Sequence, residues 1–245
     1  MFSQFYSYIF NICCLIAVCI SGMAAVYLWK DYKKNKLRQF KNFSLGFYFI
    51  FLAFFLLSFP KIILFESFWV QIDFILVDLS FLVANLFLVP VISVFSEKFT
   101  PFWKKVSQFY LSIIPIYTFL NIFFFKEAVP LKIDEILIYW KNGVFWLHSL
   151  LWIPLSSGAA ALGIWFLLGL KKVGEKEAFF KILSVGIGAI LIFVAGMLFW
   201  YFKFFTPRLA ILNISGIIGD LGFLLGSIGV RLFKVPREFW VKKII

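Results

Sequence analysis

The stretch "QIDFILVDLSFLV" (71–83) is apolar except for a glutamine, two aspartates and a serine. An acid inside so apolar a run is costly in a lipid setting and unusual in any core, so its surroundings decide the fold. Outward from it, the apolar run extends over 67–89, about the 20 residues needed to cross ~30 Å of hydrocarbon at 1.5 Å per residue. Comparable runs recur along the chain, at 6–29, 43–60, 106–125, 143–169, 179–202 and 209–231. The chain is 63% hydrophobic with a mean hydropathy of +0.98, more apolar surface than a soluble domain of 245 residues could hide. The expected fold is an all-α integral membrane protein with seven transmembrane helices; a β-barrel would show short alternating segments instead. The first run is too long for a cleaved signal peptide, and no Lys or Arg precedes it.

The same stretch has a counterpart. "NISGIIGDLGFLL" (213–225) repeats it at an offset of 142, aligning Asp78 with Asp220. Two further phrases recur in the same order. "SGMAAVYLW" (21–29) returns as "SGAAALGIW" (157–165), and "FKNFSLG" (40–46) as "FKILSVG" (180–186), at offsets of 136 and 140. Three colinear matches with slowly drifting offsets point to a duplicated three-helix unit, 6–89 and 143–231. Because three is odd, a linking helix at 106–125 must return the chain to its starting side, giving a 3+1+3 plan within one domain, 1–245.

Charge sets the orientation. Of the 24 Lys and Arg residues, 18 lie in or beside the segments that follow runs one, three, five and seven. By the positive-inside rule the N-terminus is outside and the C-terminus inside a cytoplasmic-type cell membrane. The net charge of +12 has the same origin, and "DYKKNKLRQFK" (31–41) reads as a stop-transfer and headgroup patch rather than a nucleic-acid site.

Candidate site residues follow from the repeat. Gln71, Asp78 and Asn85 are spaced by seven and share a helix face; Asn213, Asp220 and Ser227 do so at the equivalent positions. No Lys or Arg lies at comparable depth to neutralise either acid. The six residues are the expected ligand or proton site, with neutral, hydrogen-bonded carboxyls holding helices together as the structural alternative. Asp73 is a weaker candidate near the outer end. Gly216, Gly219, Gly222, Gly226 and Gly229 make a smooth face for close helix packing or, alternatively, a homodimer seam, and "SSGAAALG" (156–163) reads likewise. Cys13, Cys14 and Cys19 read as apolar filler with no metal spacing, and His148 as an interfacial anchor. Trp140, Trp146, Trp200 and Tyr201 fit interfacial belts, and Pro115 and Pro154 are expected to kink their helices. No nucleotide-binding, nucleophilic or metal motif occurs, so neither an enzyme nor a cofactor is expected.

The basic segment after "AAVYLWK" (24–30), the third run ending "VPVISVF" (89–95) and the fourth containing "SIIPIYTFLN" (112–121) resemble the seven-helix N-terminal sensor module of bacterial histidine kinases. That resemblance implies a signal-sensing membrane module. No kinase or cyclase domain follows, so its output partner would be a separate cytoplasmic chain. The 3+1+3 plan is also similar to that of SWEET and PQ-loop transporters, and the helix number to that of microbial rhodopsins. The chain has no Pro-Gln dipeptide, however, and no mid-helix lysine in run seven. The functional expectation is a stand-alone sensor-like or ligand-binding module in the lipid bilayer; the alternative is a small-solute transporter, coupled to protons through the acids.

Overall fold

The structure is a computed structural model that describes residues 2–58, 67–95, 100–123, 129–132, 138–141, 159–161, 163–164, 166–168, 170, 176–205 and 208–232. Its helices are α1 (Phe2–Asn35), α2 (Arg38–Ser58), α3 (Ser67–Phe95), α4 (Thr100–Phe123), α6 (Lys176–Phe204) and α7 (Leu209–Leu232). Between α4 and α6, the described helical residues of 159–168 belong to a shorter apolar helix, α5 (Ala159–Leu168). Four described stretches are long and apolar enough to cross a membrane: Tyr8–Asn35, Arg38–Ser58, Ile182–Phe202 and Leu209–Gly229. The protein is thus a helical, membrane-embedded chain.

The apolar runs become helices because lipid leaves backbone groups no partner but their own helix. α1 is 34 residues, about 51 Å at 1.5 Å per residue, so its basic last turn with Lys33 and Lys34 extends beyond the hydrocarbon. It ends where Lys36 adopts a left-handed conformation (φ 58°), its N–H bonding the Tyr32 carbonyl at 2.7 Å. Two residues later α2 begins, and the Ser44 hydroxyl donates to the α1 carbonyl of Ala25 at 2.7 Å.

Neighbours in sequence are neighbours in space. α1 packs on α2, α2 on α3, α3 on α4 and α6 on α7; α1 also packs on α7. Gly163 of α5 lies against Gly186 and Ile190 of α6. The order around the bundle is therefore 4-3-2-1-7-6-5. One core cluster joins Phe10 and Cys14 of α1, Leu57 of α2, Val77 of α3, Phe202 of α6 and Leu212 of α7. It brings the beginnings of α1, α3 and α7 to the ends of α2 and α6, as alternating up and down helices require.

Closest approach falls where side chains are absent. A Cβ on Gly188 would sit 2.7 Å from the Gly222 carbonyl oxygen and equally near the Gly226 nitrogen, and one on Gly222 2.8 Å from the Gly188 oxygen. Small residues permit this backbone contact. Of the glycine face read in run seven, Gly219, Gly222 and Gly226 thus form a seam with α6, while Gly216 lies against Phe10 and Cys13 of α1. Gly46 lies against Leu88 and Ala84 of α3, whereas Gly186, which aligns with it in the phrases "FKNFSLG" and "FKILSVG", lies against Leu167 and Gly163 of α5.

One element departs from the all-α expectation. Strands β1 (Val129–Lys132) and β2 (Ile138–Lys141) form an antiparallel hairpin pairing Val129 with Lys141 and Lys132 with Ile138. It follows the end of α4, and β1 lies against α3 while β2 lies against α6. The segment was short enough to read as a plain connection; strand pairing satisfies its backbone groups where the helix has stopped.

Candidate functional site

Asp78 and Asp220 are each the twelfth residue of their helix, α3 and α7. Their surroundings differ. Asp78 is 6% exposed and accepts a hydrogen bond at Oδ2 from the hydroxyl of Tyr117, itself 0% exposed, on α4. Leu82, Ile113 and Tyr117 form a buried cluster there, backed by Leu79, Leu86, Ile114 and Leu120. A phenol is a good donor to a carboxyl, and the seam around the pair is apolar.

Asp220 is partly exposed and lies in the α1–α7 seam, where it is hydrogen-bonded to the Cys13 thiol. A thiol is a weak donor. One turn earlier on α7, a Cβ on Gly216 would meet Cys13 Cβ at 3.0 Å and Phe10 at 3.2 Å, so backbone and side chains are close there. In the bundle order, α4 follows α3 and α1 follows α7. Asp78 on α3 therefore engages α4, and Asp220 on α7 engages α1. The two do not meet: between their seams Phe54 of α2 packs edge-on against Phe81 of α3 (5.5 Å between centroids) and Phe223 of α7 (5.6 Å).

The other predicted residues fall as follows. Asn85 is buried and its Nδ2 donates to the Phe81 carbonyl of its own helix at 2.8 Å. Asn213 is 2% exposed near the start of α7. Ser227 lies seven residues beyond Asp220, its Oγ buried with no hydrogen-bond partner among the described residues. The side chain of Gln71 lies outside the described residues, as do His148, Pro154 and Trp146. Cys13 and Cys14 are buried, Cys19 is exposed, and no cluster of metal-ligating groups occurs among the described residues. α4 continues as helix through Pro115.

Sequence reasoning missed Asn11. It is 6% exposed, and neither Nδ2 nor Oδ1 has a hydrogen-bond partner among the described residues. Buried Ser58, at the end of α2, and buried Asp73, in the second turn of α3, belong to the same end of the bundle. So does Asn213. This end carries a tier of buried polar groups on four helices, and the hairpin that follows α4 belongs to it. One apolar-to-polar exception in "FNICC" (10–14) was the available signal.

Compared with protein-family models, curated proteins and solved structures, the chain matches none.

Proposed function

We propose that the chain is a seven-span membrane module, N-terminus outside and C-terminus inside, that binds a small polar ligand at its outer end and acts as a sensor. The observation that carries this reading is the Asn11 carboxamide. A buried amide left unbonded costs roughly 1–3 kcal/mol per group, and native folds keep such groups for water or a ligand. Asp73, Ser58 and Asn213 add polar groups at the same end. The duplicated 3+1+3 plan supplies two three-helix units whose relative position the ligand can bias. A separate cytoplasmic chain would read that bias from the basic inner face, and a homodimer would be a second route to output.

Transport of a small solute is the second reading, favoured by the matched carboxyls at the twelfth position of α3 and α7. One experiment separates the two. The purified protein in nanodiscs is screened by thermal shift against neutral, cationic and anionic polar solutes, and any stabilising solute is tested for uptake into proteoliposomes. Stabilisation that Asn11→Leu removes, without uptake, supports the sensor; uptake supports the transporter. If no solute stabilises the protein and Asn11→Leu simply raises its melting temperature, Asn11 is a packing defect and the ligand reading fails.

A further inference from the structure

Three features of the bundle lie outside the Asn11 tier: the glycine seam of α6 and α7, the Asp78–Tyr117 pair, and the α1–α7 seam. The first is explained by packing and the second by a closed hydrogen bond. The third is not so explained. Asp220 sits mid-helix with a thiol as its hydrogen-bond donor, yet it is partly exposed. Asn213 and Ser227 share its helix face, about 10.5 Å to either side at 1.5 Å per residue. The Ser227 hydroxyl is buried and has no hydrogen-bond partner among the described residues, although a helical serine can usually bond the carbonyl four residues back. Beside it, a Cβ built on Gly226 meets nothing within 4 Å, so the helix surface next to Ser227 borders open space.

We propose that the α1–α7 seam is a proton-exchange site centred on Asp220, and that Asp78, its counterpart in the first repeat, is not one. The exchange is the simple reaction of a carboxylate with hydronium to give the carboxylic acid and water. Asp220 can undergo it because it is partly exposed, the thiol that bonds it is a weak donor, and the buried Ser227 hydroxyl about 10.5 Å further along the same face is left without a partner. Asp78 lacks all three: it is buried, held by a phenol, and enclosed by leucines and isoleucines. The titratable group that α1 presents to Asp220 is Cys13. α6 meets α7 at this depth through Ala195, opposite Gly219, and its own titratable residues, Lys176, Glu177, Lys181, Tyr201 and Lys203, lie near its two ends. The inference is independent of the ligand reading at Asn11.

The test uses the full chain in liposomes and dicyclohexylcarbodiimide, a lipid-soluble reagent that adds to protonated carboxyls in membranes. Peptide mass spectrometry reads the modified positions. Asp220 should be modified and Asp78 spared, with the Asp220 rate falling about tenfold per pH unit above its titration midpoint. Cys13→Ala, which removes the thiol donor, should move that midpoint while leaving helicity unchanged. Detergent-unfolded protein, in which both acids must react, is the reference. An unmodified Asp220, equal modification of Asp78, or a rate at Asp220 that does not vary with pH would each overturn the proposal.

Discussion

The Tyr117–Asp78 hydrogen bond carries a cost that only its partners reveal. Tyr117→Phe leaves a buried carboxyl with its phenol donor gone, in a seam lined by Leu82 and Ile113. It should lower stability by roughly 1–3 kcal/mol, whereas Tyr117→Phe combined with Asp78→Leu should recover much of the loss, because both polar groups are then removed. Thermal unfolding of the single and double variants in one detergent decides it; a double variant less stable than Tyr117→Phe alone would mean Asp78 has another essential role. Asp78 was legible in the sequence because an acid in an apolar run stands out. Tyr117 was not, since it lies 39 residues away and a tyrosine in an apolar helix is ordinary. Asn11 escaped for a related reason. Spacing by seven draws the eye to stripes, and a single amide forms no stripe.

Glycine positions set the distance between α6 and α7, and they are not equivalent. Gly188→Ala and Gly222→Ala each drive a methyl into the facing backbone and should destabilise by about 1–3 kcal/mol. Gly226→Ala should be neutral or stabilising by up to about 1 kcal/mol, since its methyl enters open space and alanine is the better helix former. Equal losses at all three sites, measured by thermal unfolding, would disprove this seam geometry. At the α1–α2 turn, Lys36 holds a left-handed conformation that costs an L-residue roughly 1–2 kcal/mol, so Lys36→Gly should raise the melting temperature slightly. Helix positions were largely legible: runs read at 67–89, 179–202 and 209–231 correspond to Ser67–Phe95, Lys176–Phe204 and Leu209–Leu232. The ends were less so. "DYKKNKLRQFK" lies wholly between the runs read at 6–29 and 43–60, yet only Lys36 and Leu37 separate the two helices. Hydropathy finds the part of a helix in lipid, and solvated turns rich in lysine remain helical beyond it.

For the molecule as a whole, the Lys and Arg asymmetry predicts that a reporter fused after Ile245 is cytoplasmic and one at Met1 external. Both on one side would require an even number of spans. The up-and-down packing around Phe10, Leu57, Val77, Phe202 and Leu212 agrees with alternating direction but carries no sidedness, because no contact distinguishes the two aqueous phases. The bundle order has one more consequence, in time rather than space. The principal helix contacts join segments made one after another, except the contact of α1 with α7. Cys13 and Asp220 are 207 residues apart in the chain (220 minus 13), so the face of α1 that receives Asp220 is synthesised early and stays uncovered until α7 leaves the ribosome. The newborn protein must shelter that face while the intervening helices are made, and a chain stalled before Leu209 would present it bare to lipid and to the insertion machinery.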